Sequence, residues 1–101
     1  MESERASPGE SWLVRVRGRV QGVGYRWSCV QQARAQGLTG WVRNRVDGSV
    51  EALLQGTPEQ LTRMCEWMRT GIAGARVDSL EVLERKRSSE PLDRFEQQPT
   101  A

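Results

Sequence analysis

Histidine does not occur among the 101 residues, which removes every His–Ser or His–Cys nucleophile pair and every metal site built with imidazole. Cysteine occurs twice, as Cys29 and Cys65. That is too few for a four-thiolate zinc site, and the spacing is wrong for a CxxC redox pair. Long apolar runs are also missing. No stretch reaches the ~18–20 residues that a membrane-crossing helix needs, so no membrane segment is expected. The opening MESERASPGE lacks the apolar core of a secretory signal, and a cytoplasmic location is expected. Chemistry must then rest on arginine, carboxylates, amides, hydroxyls and backbone N–H groups. The composition is otherwise that of one small globular domain: 37% of residues are hydrophobic and ten more are glycine.

Acidic residues are absent from one long stretch. Between Ser11 and Val46 there are seven arginines (15, 17, 19, 26, 34, 43 and 45) and no Asp or Glu. The other 65 residues carry eight basic and thirteen acidic groups, so the net charge of +2 conceals an uneven distribution. Unopposed positive charge attracts anions. Fourteen of the fifteen basic residues are arginine, whose planar fork suits phosphate and carboxylate. A biased composition scattering arginine over a solvated surface accounts for the preference over lysine but not for the missing acids.

Residues 1–10 are polar and read as a disordered tail. From Trp12 the pattern alternates, with Trp12, Val14 and Val16 on one side and Arg15 and Arg17 on the other, which predicts a half-buried strand ending at Gly18. A loop with three glycines in seven residues follows, Gly18 to Gly24. Arg26, Cys29, Val30, Ala33 and Gly37 then fall on one stripe at helical spacing over Tyr25 to Gln36, with Arg26 at its N-terminal end and Gly37 as the stop. Gly40 to Arg45 reads as a second strand. Asp47-Gly48 predicts a hairpin with a type I′ turn, and Val50 to Gln55 returns as the third strand. Thr57-Pro58-Glu59-Gln60 has the form of a capping box with proline in the first helical turn. Leu61, Met64, Cys65 and Met68 form the buried stripe of that second helix, which ends near Gly71. A fourth strand is expected over Val77 to Leu83, with a bulge between Val77 and Leu80. Glu84 to Pro91 reads as a polar connection, Leu92 and Phe95 as a possible short fifth strand, and residues 97–101 as a second disordered tail.

The order βαββαβ with right-handed crossovers predicts an α+β domain over residues 11–96. This is a ferredoxin-like α/β sandwich: a four-stranded antiparallel sheet with both helices on one face and a possible short fifth strand. Alternation puts Asn44 on the same face as Val42, beneath the helices and beside the glycine loop. Cys29 and Cys65 fall in apolar stripes and read as small core residues.

The junction of first strand, glycine loop and first helix is the place for chemistry. Glycines let successive N–H groups converge on an anion, and a helix N-terminus adds unpaired donors and positive dipole. Arg26, in the first helical turn, can add charge-assisted bonds to the same anion. The loop lacks the Lys-[Ser/Thr] ending of a nucleotide P-loop, and Trp27 replaces the third glycine of GxGxxG. Taken singly, Arg26 is an ordinary helix-surface arginine and Asn44 an ordinary turn residue.

Their setting changes that. Gly18-Arg19-Val20-Gln21-Gly22-Val23-Gly24-Tyr25-Arg26, then Gly37-Leu38-Thr39-Gly40-Trp41-Val42-Arg43-Asn44 and Asp47-Gly48, resembles the acylphosphatase family. The likeness extends more loosely to Gly74-Ala75-Arg76-Val77. It implies hydrolysis of the mixed anhydride between a carboxylic acid and phosphate, with no metal and no organic cofactor. In that family the loop backbone and its arginine bind the phosphoryl oxygens while an asparagine orients the attacking water. Here the loop is Arg19, Val20, Gln21, Gly22, Val23 and Gly24, the arginine is Arg26 and the asparagine is Asn44. The implied partner is a small acyl phosphate, and a monomer is expected.

Two other readings remain on residues alone. The arginine-rich stretch could bind nucleic acid, although single-strand recognition on such a sheet needs aromatics to stack bases, and VEALLQ offers none. A carrier-type domain binding phosphate esters or carbamoyl phosphate without turnover would use the same loop. The intact Arg26 and Asn44 favour hydrolysis.

Overall fold

The computed structural model describes residues 9–87 and 91–101. Seven elements follow in chain order: β1 (Glu10–Arg19), α1 (Tyr25–Ala35), β2 (Thr39–Asn44), β3 (Val50–Gly56), α2 (Pro58–Thr70), β4 (Arg76–Arg87) and β5 (Phe95–Gln97). The sheet order is β4-β1-β3-β2-β5. The first four strands pair antiparallel, and the fifth exists, joining β2 in parallel. Val14, Val16, Val42, Val50, Ala52 and Leu54 of the sheet pack with Cys29, Val30 and Ala33 of α1 and with Leu61, Met64, Cys65 and Met68 of α2. Both cysteines are free and buried, as their places in the stripes predict.

Local chemistry sets the helix ends. Thr57 Oγ1 accepts from Gln60 N–H at 3.2 Å while the Thr57 N–H donates to Gln60 Oε1 at 2.8 Å, completing the capping box. The Gln60 amide also donates to the Gln36 carbonyl at the end of α1, tying the two helices together. At the other end of the pair, the buried Tyr25 hydroxyl donates to the Met68 carbonyl at 2.7 Å. Tyr25 therefore joins α1 to α2.

Several boundaries differ from the sequence expectation, each for a physical reason. Gly18 lies inside β1: it is so close to β4 that a Cβ would collide with the Arg76 carbonyl, and the strand continues to Arg19. The expected bulge is present, because Arg17 pairs with Ser79 and Gly18 with Val77, skipping Asp78. β4 runs on through Glu84–Arg87, where the polar connection was expected, because its ladder with β1 needs only backbone. The Arg85 guanidinium lies over the Trp12 ring, 4.2 Å from its centroid. Residues 88–90 of that connection, and 1–8 of the expected first tail, lie outside the described residues. Beyond β5 the chain continues along β2 where a loose tail was expected. Gln98 N–H donates to Val42 O, Ala101 N–H to Asn44 O, and Val46 N–H to Ala101 O.

The β2–β3 hairpin forms, but without the type I′ turn. Only Gly48 has positive φ; Asp47 keeps a negative one. The Asp47 carboxylate accepts from both Ser49 N–H and Ser49 Oγ, and Gly48 N–H closes on Arg45 O. A carboxylate able to bind its own following backbone removes the need for two left-handed residues in a row.

Candidate active site

The loop after β1 enters α1 through two glycines, Gly22 and Gly24, both at φ 77. A Cβ at either would meet nothing within 4 Å, so it is the left-handed backbone, not space, that calls for glycine there. Gly24 is the N-cap of α1. It supplies no side-chain cap, and the first turn carries no acid. The N–H groups there stay unneutralised by the chain, and the positive end of the helix dipole faces outward.

Val20, Gly22, Gly24, Tyr25, Arg26, Trp27 and Gln97 line a pocket of about 150 Å³ at this point. Its wall holds one guanidinium and no carboxylate, and Arg26 has no ion pair among the described residues. Val20 and Tyr25 are buried side chains, so each contributes chiefly backbone at the opening. This is an anion cradle: helix N-terminal donors, a glycine-rich bend and one cation converge on a small volume.

Not every residue expected at the site is on that wall. Arg19 is still in β1, opposite Arg76, and Val23 packs against the core. Gln21 turns the other way: its amide Nε2 donates to Arg45 O at 2.9 Å and to Ser49 O at 2.8 Å. That pair of bonds clamps the loop to the β2–β3 hairpin, immediately after Asn44. Asn44 is at the end of β2, off the pocket wall, with its Oδ1 buried and without a hydrogen-bond partner among the described residues. Buried amide oxygens are nearly always bonded, so this acceptor is unspent.

Trp27 and Gln97 line the pocket without having been expected there. Trp27 was legible in principle: it follows Arg26 in the first turn and lies off the buried stripe. Gln97 carried no signal, because β5 is only three residues long and its parallel pairing with β2 depends on the rest of the fold.

The remaining charge is spent elsewhere. Glu51, buried on the sheet face away from the helices, takes bonds from Arg15, Arg43 and Arg45 at 2.7–3.2 Å. Burial alone would push its carboxyl up; the hydrogen bonds from Arg43 and Arg15 and the nearby guanidinium charges outweigh it and hold it below its ordinary value. Ser49 hydrogen bonds, with smaller help from Arg17, hold the Asp47 carboxyl down to about 2. Trp41 lies under the Arg43 guanidinium at 4.7 Å, a packing role. Burial pushes the Cys29 thiol up to about 12 and raises Cys65 as well, so both stay protonated at neutral pH. Among the described residues no three of Cys, Asp and Glu gather as metal ligands, and no helix is long and apolar enough to cross a membrane. A wider groove of about 350 Å³ along α2, lined by Pro58, Glu59, Thr62, Arg63 and Glu66, mixes acids with one arginine and has no backbone cradle.

The chain is similar to known proteins along nearly its whole length. The acylphosphatase family model matches residues 12–97. An acylphosphatase of Polaromonas naphthalenivorans is 56% identical over 99 residues, 98% of each chain. Acylphosphatase 1 of Ralstonia nicotianae is 60% identical over 88 residues, covering 87% of this chain and 86% of that one. The crystal structure of acylphosphatase from Bacillus subtilis superposes with a TM-score of 0.82 at 36% identity, over 87% of this chain and 97% of that one. With the fold, the anion cradle and likeness along nearly the whole length in agreement, this chain belongs to the acylphosphatase family.

Proposed function

We propose that this acylphosphatase hydrolyses acyl phosphates with the phosphoryl group seated in the β1–α1 cradle, Arg26 neutralising its charge and Asn44 orienting water. The observation that carries this is the convergence of Arg26 with an uncapped helix N-terminus and two left-handed glycines in one small pocket free of carboxylates. Each charge-assisted bond from such a guanidinium contributes about 1.5–3 kcal/mol. The backbone of Val20, Gly22 and Gly24 supplies further donors, with the neighbouring Arg19, Gln21 and Val23 holding the bend in shape.

An acyl phosphate is already activated, so the catalyst has two tasks: to stabilise phosphoryl charge and to place the nucleophile. The Gln21 clamp supports Asn44 in the second task, since it holds the hairpin after Asn44 against the loop. The unspent Oδ1 of Asn44 accepts a hydrogen bond from the attacking water and so aims it. Water attacks phosphorus, the bond from phosphorus to the acyl oxygen breaks, and the carboxylate leaves. A carboxamide has no useful pKa, so the proton released by water goes to a phosphoryl oxygen. No step requires a metal or an organic cofactor. The reading keeps the enzyme cytoplasmic and monomeric, with the domain of residues 11–96 extended at its end by Gln97 of the pocket wall.

The test follows the hydrolysis of an aryl acyl phosphate in excess chelator, beside a phosphate monoester. Loss of the anhydride with the ester untouched is expected. Arg26→Gln lowers kcat/KM by ~10²–10³, the usual effect of removing one preorganised donor. Asn44→Ala lowers kcat while leaving competitive inhibition by inorganic phosphate largely in place. Activity retained in both variants, or abolished by chelator, rejects the assignment.

A further inference from the structure

We propose that Trp27 is the acyl-group subsite of this enzyme, and that it selects acyl phosphates bearing flat, apolar acyl groups over those bearing small ones. The inference rests on the phosphoryl group lying at Arg26, as argued above. The size of the pocket comes first. At about 150 Å³ it is well below the ~300–1,000 Å³ of pockets that enclose a whole small-molecule ligand. It has room for the phosphoryl end, and the acyl portion must project across the rim.

The rim decides what that portion meets. Trp27 is 62% exposed, whereas Trp12, Tyr25 and Phe95 are buried and Trp41 and Trp67 are partly covered. One exposed apolar residue on a surface carries no meaning by itself. This one adjoins Arg26 in sequence, shares its pocket and takes no part in the buried stripe of α1, Tyr25, Cys29, Val30 and Ala33. The other apolar side chains of the wall, Val20 and Tyr25, are about 1% exposed and give an acyl group nothing to touch. The remaining side chain of the wall, Gln97 from β5, is a polar amide. Apolar contact with the acyl group therefore falls to the indole alone. An aryl ring can lie along the indole face, as bases stack on aromatic side chains. An acetyl methyl has too little area to gain from it.

The ring or methyl of the acyl group lies beyond the carboxylate that leaves and makes or breaks no bond itself, so contact with it strengthens ground and transition states alike and acts through KM. The test uses the whole chain, with benzoyl phosphate and acetyl phosphate as substrates and phenylphosphonate and methylphosphonate as non-hydrolysable inhibitors. The wild-type enzyme should bind phenylphosphonate about tenfold more tightly than methylphosphonate. In Trp27→Ala that advantage disappears. The kcat/KM ratio of benzoyl to acetyl phosphate falls about tenfold, mainly through KM, and Trp27→Phe restores most of it. Equal inhibition of the wild type by the two phosphonates, or an unchanged substrate ratio in Trp27→Ala, overturns the proposal. Trp27→Gln, equally compatible with an exposed helical position, checks that the effect follows the ring. Failure to hydrolyse either acyl phosphate would instead strike at the phosphoryl site itself, so the two outcomes are separable.

Discussion

Replacing Gln21 by alanine tests whether the glycine loop and the Asn44 hairpin work as one unit. The substitution removes two hydrogen bonds, at 2.9 Å to Arg45 O and 2.8 Å to Ser49 O. Neither carbonyl is left bare: Arg45 O keeps the Gly48 N–H at 3.0 Å, and Ser49 O keeps the Arg45 N–H at 2.9 Å. The penalty for stranding a buried acceptor does not apply, and the cost is that of two net neutral bonds, about 1–3 kcal/mol in all. For a domain of this size that lowers Tm by about 5–15 °C, measured by thermal unfolding followed by circular dichroism.

Activity should fall further than stability alone explains. At a temperature where the variant is still fully folded, the loop is free to move relative to Asn44. Displacement by about 1 Å at such a site costs on the order of 100-fold in rate. The expected signature is a kcat/KM lowered by about 10- to 100-fold, with the affinity for inorganic phosphate falling less, because Arg26 and the α1 N-terminus remain on one element. Gln21→Glu should be worse than alanine, since a carboxylate cannot donate to the two carbonyls and brings negative charge toward an anion site. A Gln21→Ala enzyme with wild-type kcat/KM would refute the clamp.

Two further perturbations address what supports the site. Glu51→Gln should destabilise the domain by about 2–4 kcal/mol at pH 7, toward the lower end for a buried ion group because its arginines reach solvent. The folded-state carboxyl is held low, so its contribution is complete above the unfolded value near 4.3 and is lost as pH falls through the folded value. The gap between wild type and variant in denaturant melts should therefore close below about pH 4; a gap independent of pH would contradict it. Tyr25→Phe strands the Met68 carbonyl, and about 1–3 kcal/mol of stability should go with it, read as a lower denaturant midpoint at unchanged slope.

Most of the architecture was legible because its signals are local. Thr57, Pro58 and Gln60 announce the start of α2, Gly37 the end of α1, and the four-residue stripe of α2 its buried face, all without tertiary context. Features decided by contact between distant segments were not. Gly18 looks like a strand end until β4 is seen running against it. Glu84 to Arg87 look like a loop, yet the β1 ladder and the Trp12 ring hold them in a strand. The Asp-Gly pair predicts a hairpin correctly and its turn type wrongly, because Ser49 offers the Asp47 carboxylate two donors. At the site, Arg26 and the glycines stood out through the resemblance of their segment to the family rather than through spacing alone. The clamping role of Gln21 was not, since its partners lie 24 and 28 residues away.

The acid-free stretch from residue 11 to 46 shows how charge is apportioned once the chain folds. Strand alternation sends Arg15 and Arg43 to the face opposite the helices, flanking Glu51 from β1 and β2, and Arg45 joins them from the hairpin. Arg17 meets Asp47, and Arg34 donates to the Phe95 carbonyl. Both acids lie only a few residues past the end of the stretch, so four of its seven arginines meet a carboxylate in space, while two acids leave most of its positive charge unbalanced. Arg26 meets no carboxylate among the described residues: it lies in the first turn of α1, on the wall of the β1–α1 pocket. Interactions between exposed charges fade over ~8–10 Å at physiological salt, so the arginines across the sheet add little to the pocket. On the proposed reading, phosphoryl binding would depend instead on the nearby donors: the N–H groups of the α1 terminus, the bend held open by Gly22 and Gly24, and one guanidinium. Affinity for an anion in that pocket should accordingly respond far more to Arg26 than to any of the six other arginines.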